Sequence, residues 1–148
     1  MADKKKKREI DDRFKKFGTV SFTATTKVND FITHLEEGRV TGTRCQTCGT
    51  HYFPPRADCY RCRGKARMEW FTVEGKGKLL TYSVLQYAPV GFTEDLPYAI
   101  AVLDYGDYKV FGRIAPKVPF EELKLGMEMT TRVNRLAGGQ LNYVFEPA

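Results

Sequence analysis

Residues 45–62 read CQTCGTHYFPPRADCYRC and contain all four cysteines of the 148-residue chain. The cysteines form two Cys-x-x-Cys pairs, Cys45 with Cys48 and Cys59 with Cys62, separated by ten residues. Each pair brings two sulfurs to one side of a tight turn, and two such turns facing each other supply the thiolates of a tetrahedral Zn²⁺ site. The spacing therefore predicts one structural zinc ion bound by these four cysteines.

Other chemistries of paired cysteines fit the pattern less well. Structural disulfides are expected mainly in small secreted chains, and a redox-active Cys-x-x-Cys is normally a single pair at the start of a helix. Iron, as in rubredoxins, is the alternative metal, but the segment is basic and the sequence offers no evident electron-transfer partner. Because four thiolates close the coordination shell, a zinc ion here has no open position for a catalytic water.

Residues 39–70 have the pattern of short strands and turns expected of a small metal-bound sheet. In chain order, this segment is predicted to form a strand, a cysteine turn, a second strand, a proline turn, a second cysteine turn and a third strand. Gly49 follows the first cysteine pair directly and Gly64 stands two residues after the second, so we expect both glycines to serve these turns. His51 is another soft ligand nearby, but the quartet already completes the tetrahedron. The segment is predicted to be a zinc ribbon.

Residues 1–38 are predicted to be a basic leader followed by a helix. Apolar residues at i, i+4 and i+7 indicate a short amphipathic helix ending near Gly18, and a solvated tail is the alternative for the same residues. Alternation over residues 20–24 predicts a short extended segment, and helical periodicity predicts a helix over residues 28–37. The apolar positions behind these predictions are Ile10, Phe14, Phe17, Val20, Phe22, Ala24, Val28, Phe31, Ile32 and Leu35.

Residues 71–148 contain five strand-like segments. A segment with Pro119 near its start predicts a short helix between the third and fourth strands, and Gly138-Gly139 predicts a hairpin between the last two. This order matches a five-stranded Greek-key OB barrel. The positions expected in its core, themselves or through their neighbours in the pleat, are Leu80, Tyr82, Val84, Ile100, Val102, Val110, Ile114, Val133, Tyr143 and Phe145. The predicted fold is mainly β, with an N-terminal helix, a zinc ribbon and an OB-fold barrel.

The net charge of +6 is concentrated in two parts of the chain. Residues 1–17 contain eight Lys/Arg against four Asp/Glu, residues 44–70 contain six against two, and residues 71–148 contain eight against nine. Four thiolates and one Zn²⁺ together carry a formal charge of about −2, which weakens the positive field of the ribbon. A nucleic-acid-binding domain is normally basic, so the slightly acidic barrel disfavours nucleic acid as a partner.

The sequence lacks the marks of a membrane or secreted protein. It has no run of roughly 20 apolar residues, and the basic N-terminus is not followed by the apolar segment of a signal peptide. We therefore expect a soluble cytoplasmic protein with no membrane partner.

The order of a helix, a ribbon and an OB barrel resembles the family once catalogued as domain of unknown function 35 (DUF35). Phe53-Pro54-Pro55-Arg56, Gly75-Lys76-Gly77-Lys78-Leu79 and Thr81-Tyr82-Ser83-Val84 are the most particular matching stretches. Further matching residues are Gly38-Arg39, Gly42-Thr43-Arg44-Cys45, Cys48-Gly49, Cys59, Cys62, Pro97-Tyr98-Ala99-Ile100-Ala101 and Leu125-Gly126-Met127. The likeness covers about residues 28–148, and the basic leader departs from the family.

The resemblance implies a rubredoxin-like zinc ribbon in a non-catalytic subunit that docks onto a thiolase-like or hydratase-like enzyme of acyl-CoA metabolism. Within the family, the chain looks most like small subunits of thiolases of the benzoylsuccinyl-CoA kind, which act in anaerobic aromatic degradation. Thiolysis of a β-ketoacyl-CoA needs an activated free cysteine, whereas all four cysteines here are assigned to the metal. We therefore expect no catalytic residues in this chain and assign the chemistry to the partner.

Coenzyme A presents phosphates and a narrow pantetheine arm, which suit basic side chains beside an apolar groove. The candidates for contacts with CoA or with the partner are Phe53, Pro54, Pro55, Arg56 and Arg44. The alternative function is a single-stranded nucleic-acid-binding module, because OB folds stack bases on aromatic rings. The aromatic residues of the barrel segment that favour this alternative are Tyr82, Tyr87, Phe92, Tyr98, Tyr105, Tyr108, Phe111 and Tyr143.

Overall fold

The computed structural model describes residues 10–21 and 25–148. Helix α1 spans Asp30–Glu36, close to the predicted helix, and a 3₁₀ turn spans Arg13–Lys16. The strands are β1 (Thr41–Cys45), β2 (His51–Tyr52), β3 (Met68–Thr72), β4 (Gly77–Leu85), β5 (Tyr98–Asp104), β6 (Lys109–Ile114), β7 (Glu128–Arg135) and β8 (Leu141–Pro147). The predicted extended segment over residues 20–24 lies largely outside the described residues. Within the described ranges, no helix is long and apolar enough to cross a membrane.

The three short strands form the predicted ribbon. Their order is β2-β1-β3, and both pairings are antiparallel, with Thr43 opposite Tyr52 on one side and opposite Trp70 on the other. Glycine is required at position 42, because a Cβ there would lie 2.5 Å from the Tyr52 carbonyl oxygen and 2.6 Å from the Phe71 ring. The zinc-ribbon prediction is confirmed.

The remaining five strands close into a barrel in the order β4-β5-β6-β8-β7. The pairing of β6 with β8 is parallel, and the other pairings, including the closing one between β4 and β7, are antiparallel. The predicted short helix between the third and fourth barrel strands is a single 3₁₀ turn, Phe120–Glu122, preceded by Pro119. The β7–β8 hairpin turns through Gly139, whose φ of +87° requires glycine. The OB-fold prediction is confirmed.

At three of the expected core positions of the barrel, a neighbour in the pleat is buried instead. Leu80 is 48% exposed and Leu79 is buried instead, because a register shift between Leu79 and Thr81 reverses the inward face of β4. In β5, Ala99, Ala101 and Leu103 are buried, whereas Ile100 and Val102 lie on the half-exposed outer face. The strand is apolar on both faces, so alternation does not reveal which face points inward. Val110, Ile114 and Phe145 are buried as expected.

The described part of the leader packs against the folded body. The 3₁₀ turn ends before Gly18, and the Gly18 amide donates to the Leu141 carbonyl oxygen of β8 at 2.7 Å. The Phe14 and Phe17 rings both contact the Phe31 ring of α1. Two residues of the predicted apolar stripe, Phe14 and Phe17, therefore contact the body, at a 3₁₀ turn rather than an α-helix, whereas Ile10 is 69% exposed. The solvated-tail alternative does not apply to these residues.

Aromatic rings join the ribbon to the barrel. His51 of β2 stacks on Tyr108, the residue before β6, with 5.6 Å between ring centroids, and Phe71 of β3 contacts the same tyrosine at 4.7 Å. Tyr108 stacks in turn on Tyr105, at 5.2 Å. Phe53, in the loop after β2, makes a separate contact with the barrel at the Tyr143 ring of β8. The ribbon is thus seated on the barrel by ring packing at two places.

Candidate metal centre and neighbouring surface

The four cysteine sulfurs lie together at one end of the ribbon. All four Sγ atoms are within 4.8 Å of one another, and the Sγ atoms of Cys48 and Cys59 are 3.6 Å apart. A tetrahedral zinc with Zn–S bonds of about 2.3 Å places its sulfurs about 3.8 Å apart. The donor set and its spacing therefore fit Zn²⁺, held by Cys45, Cys48, Cys59 and Cys62. Cys45 and Cys59 are buried, whereas Cys48 is exposed.

Two similar turns carry the cysteine pairs. The Gly49 amide donates to the Cys45 carbonyl oxygen, and the Arg63 amide donates to the Cys59 carbonyl oxygen, both at 2.8 Å. The residue after each pair has a left-handed backbone, with φ of +78° at Gly49 and +50° at Arg63. The role expected for Gly49 is confirmed, whereas the role expected for Gly64 is wrong, because Arg63 adopts the left-handed conformation one residue earlier.

Two hydroxyl groups approach the sulfurs. The Thr50 hydroxyl lies 3.1 Å from Cys48 Sγ, and the Tyr52 hydroxyl lies 3.1 Å from Cys59 Sγ. The hydrogen bond from Tyr52 lowers the pKa of Cys59 to about 6, and the hydrogen bonds of Thr50 lower the pKa of Cys48. Since a metal ligand must be a thiolate, both hydroxyls favour metal binding. Sequence reasoning missed both residues, although their position just after the first cysteine pair was a usable signal.

The two histidines of the chain have packing roles. His34 Nδ1 is 2.8 Å from the Thr41 hydroxyl, and its ring stands edge-on to Trp70 with 4.8 Å between centroids. His51 contacts Phe71 and Tyr108 and is not part of the sulfur cluster. Neither histidine stands beside a free nucleophile, so the described residues contain no acyl-transfer constellation of the Cys-His type.

The candidate contact residues for CoA or a partner divide into buried and exposed positions. Phe53 is half-buried and Pro55 is buried, whereas Pro54 and Arg56 are exposed. The Thr43 hydroxyl exchanges two 2.8 Å hydrogen bonds with the backbone of Arg56, which fixes this loop on β1. The Arg56 guanidinium lies over the Tyr52 ring, 5.3 Å from its centroid. Of the Phe53-Pro54-Pro55-Arg56 motif, Pro54 and Arg56 are the residues most accessible to another molecule.

Arg44 is engaged within the ribbon. Its guanidinium forms a 2.6 Å ion pair with Glu69 of β3, and Gln46 donates to the same carboxylate. Five further basic residues of the ribbon are exposed in and after the loop between the cysteine pairs, where the Arg61 guanidinium lies over the exposed Tyr60 ring. We name these residues the basic knuckle patch; they are Arg56, Arg61, Arg63, Lys65 and Arg67.

Two family models match the chain in sequence. The rubredoxin-like zinc ribbon domain of ChsH2 matches residues 33–69, and the C-terminal OB-fold domain of ChsH2 matches residues 70–134. Together they cover both the ribbon sheet and most of the barrel.

Curated relatives are similar over most of their length. The DUF35 domain-containing scaffold protein of Methanocaldococcus jannaschii is 38% identical over 96 residues, which cover 64% of this chain and 67% of the relative. The DUF35 domain-containing scaffold protein of Methanothermobacter thermautotrophicus is 31% identical, and the match covers 84% of that protein and 72% of this chain. The corresponding protein of Pyrococcus furiosus is 35% identical, and the match covers 79% of that protein and 72% of this chain.

A solved structure named Ltp2-ChsH2(DUF35) aldolase shares the fold. It matches with a TM-score of 0.68 and 20% sequence identity, covering 84% of this chain and 98% of the matched chain. At this identity the likeness concerns the fold.

Proposed function

Because the chain belongs to the DUF35 family of zinc-ribbon and OB-fold scaffold proteins, we propose that it is a non-catalytic subunit of an acyl-CoA thiolase-type complex. In this role it supports assembly of the complex and access of the CoA substrate, and the partner performs thiolysis of a β-ketoacyl-CoA. The proposed substrate class is that of benzoylsuccinyl-CoA, from anaerobic aromatic degradation. A cytoplasmic location suits thiolates that must stay reduced.

The cysteine quartet is the observation that carries this proposal. The chain has four cysteines, and all four sulfurs lie within 4.8 Å of one another. A thiolase nucleophile must be a free thiolate next to a base, whereas these sulfurs have the arrangement of a closed metal site. An acyl-CoA role for this chain therefore requires an enzyme partner.

The nature of the partner is supported by the relatives and by the family motifs. The name scaffold protein supports a role in assembly, and the aldolase with the same fold supports an enzyme as the partner. The choice of a thiolase rests on the resemblance carried by Phe53-Pro54-Pro55-Arg56 and by the first barrel strand.

Contact with the CoA substrate is proposed at the basic knuckle patch. Its guanidinium and ammonium groups are exposed and suit the phosphates of CoA, and Pro54 offers an apolar surface next to Arg56. Arg44 is less available for this contact, because its ion pair with Glu69 must first be broken.

Co-expression with a candidate thiolase tests the proposal. We expect the two proteins to elute as one complex whose thiolase activity exceeds that of the enzyme alone. The double variant Arg61→Glu/Lys65→Glu should raise KM for the CoA substrate, whereas Lys109→Glu on the barrel should not. Separate elution of two proteins, with the thiolase fully active alone, would contradict the proposal.

Binding of single-stranded nucleic acid is the second candidate function. It is favoured by one observation: Tyr60 is 58% exposed beside Arg61, a pairing that stacks bases in other proteins. Titration with a single-stranded oligonucleotide across salt concentrations separates the candidates, because phosphate contacts give a steep salt dependence. Absence of binding, or binding that does not respond to salt, removes this candidate.

A further inference from the structure

A cavity of about 310 Å³ opens on the side of the barrel, away from the cysteines. It lies between the connection from β4 to β5 and the β7–β8 hairpin. Its apolar wall includes Ile114, Phe120, Leu136 and Val144. OB folds bind their ligands on this side, on the surface of the second and third barrel strands between the loops that follow strands one and four. The cavity therefore lies where OB folds bind their ligands.

Arg113 of β6 holds the rim of the cavity in place. Its guanidinium donates to Asp95 at 2.9 Å and lies over the rings of Tyr98 and Phe92, at 3.9 Å and 5.5 Å from their centroids. Its side chain is 24% exposed. An ion pair and two ring contacts fix the β4–β5 connection against β6, so the cavity is formed before any ligand arrives.

The polar groups within the cavity match an amide. Asn134 Nδ2 donates to Asn142 Oδ1 at 2.8 Å across the β7–β8 pair. The remaining two amide atoms, Asn134 Oδ1 and Asn142 Nδ2, make no hydrogen bond among the described residues. One acceptor and one donor side by side complement the N–H and C=O groups of a peptide.

The rim of the cavity is acidic. Glu94 and Asp95 line it, together with Arg113. Arg113 neutralises Asp95, whereas Glu94 forms no ion pair within the part of the chain that the structure describes. This charge repels phosphates and attracts ammonium or guanidinium groups. The volume is also at the lower end of ligand pockets, which span about 300–1,000 Å³, so whole CoA does not fit.

We propose that this cavity binds an extended peptide segment that inserts one uncharged side chain of leucine or phenylalanine size and carries a lysine or arginine next to it. The apolar wall receives the side chain, the two asparagines pair with the peptide amide, and Glu94 faces the basic residue. Assignment of that segment to the enzyme partner rests on the proposed function. Because the cavity is already formed, an extended peptide can bind in it without rearrangement of the barrel strands.

Three capped tripeptides test the site on the zinc-loaded full chain. We expect acetyl-Lys-Leu-Lys-amide to produce saturable shifts of the Asn134 and Asn142 side-chain NH₂ signals in ¹H–¹⁵N spectra. Acetyl-Glu-Leu-Glu-amide and acetyl-Lys-Ala-Lys-amide should bind more weakly, because the first places carboxylates at an acidic rim and the second leaves the apolar wall unfilled. Absence of shifts with the first peptide, or equal affinity for all three, would overturn the proposal.

Two charge reversals provide a matched comparison. Glu94→Lys should weaken binding of the first peptide by more than about threefold, because it removes one exposed charge pair and adds a repulsion, whereas Glu74→Lys, on an exposed glutamate outside the cavity, should leave binding unchanged. Equal binding by both variants contradicts the assigned role of Glu94. Both positions are exposed, so neither variant is expected to disturb folding.

The complex with the thiolase separates the two proposals. If the complex forms and Glu94→Lys weakens it, both proposals are supported. If it forms at full strength with Glu94→Lys and with Asn142→Leu, the cavity proposal fails and the proposed function stands. If no complex forms but the first peptide still binds at Asn134 and Asn142, the cavity proposal stands and the proposed function fails.

Discussion

The ring of Phe53 stands edge-on to the ring of Tyr143, with 5.3 Å between their centroids. Phe53 belongs to the loop between the two cysteine pairs, and Tyr143 belongs to β8 of the barrel. The Tyr143 hydroxyl donates to the Phe111 carbonyl oxygen at 2.6 Å, which holds the tyrosine ring in place. Phe31 of α1 meets Phe53 from another side, at 6.5 Å. The cysteine loop is therefore anchored at the point where the helix, the ribbon and the barrel meet.

Replacing Phe53 by alanine tests this anchor. A fully buried phenylalanine contributes about 3–5 kcal/mol relative to alanine, and Phe53 is half-buried, so we expect the free energy of unfolding to fall by about 2 kcal/mol. Urea denaturation of the zinc-loaded protein measures this change. Tyr87→Ala is the matched control, because Tyr87 is 91% exposed and its removal should change stability little. Equal effects of the two substitutions would show that Phe53 does not anchor the ribbon.

The metal content of the purified protein tests the assignment of the four cysteines. Elemental analysis should find one Zn²⁺ per chain, and Cys48→Ser should abolish stoichiometric binding. Metal removal should increase hydrogen exchange in β1, β2 and β3, because the ribbon has a small apolar core of its own around Tyr52. The larger core joins the barrel to α1 and does not include the cysteines, so the barrel should keep most of its protection. Stoichiometric iron in a red protein, or an unchanged ribbon after chelation, would contradict the prediction.

The sequence predicts the metal site and the order of strands because both depend on local spacing. Two Cys-x-x-Cys pairs identify their ligands without reference to the rest of the fold, and strand order follows from the sequence of apolar segments. The inward face of a strand depends on partners that are distant in sequence. In β4 the shift at Leu79 reverses the face that simple alternation assigns to Leu80, and in β5 both faces are apolar.

Arg63 shows a further limit of inference from composition. Glycine is the residue expected at a left-handed position, and Gly64 stands one residue away, yet the backbone hydrogen bond to Cys59 selects Arg63. The hydroxyls near the sulfurs and the packing of the leader on α1 also depend on tertiary contacts. The hydroxyls have a sequence signal in their position just after the first cysteine pair, and the leader has one in its apolar stripe, but the contacts that each makes are set by the fold.

Three substitutions at the cysteine turns test the backbone geometry. Gly49→Ala should destabilise the zinc-loaded protein by about 1–2 kcal/mol, the cost of a left-handed backbone for a residue with a Cβ. The new Cβ would lie 3.6 Å from the Arg44 guanidinium, an ordinary contact, so crowding adds little. Gly64→Ala should be tolerated, since nothing lies within 4 Å of its Cβ. Thermal unfolding measures both changes.

Arg63→Gly is the reverse substitution, because it removes a Cβ from a left-handed position instead of adding one. Relief of the left-handed strain and the greater flexibility of glycine oppose each other, so the net change in stability should be under about 1 kcal/mol. A large loss of stability from Gly64→Ala, or none from Gly49→Ala, would show that the turns have a different conformation.

The last prediction concerns stability at mildly acidic pH. Burial lowers the pKa of His34 from its ordinary value of 6.5, and the nearby charge of Arg39 acts in the same direction. The unfolded chain therefore binds a proton at His34 more readily than the folded chain does. This contribution to stability is fully present above pH 6.5 and decreases as the pH falls below it, until the folded protein is protonated as well.

His34→Gln isolates this contribution, because glutamine does not titrate. Zinc loss at low pH affects both proteins alike, so the quantity to compare is their difference in unfolding free energy, measured with urea at several pH values. Above pH 6.5 the wild type should be more stable, since its neutral imidazole packs on Trp70 and bonds to Thr41. Below pH 6.5 the difference should shrink. A difference that stays constant across this range would show that His34 has the same pKa in both states.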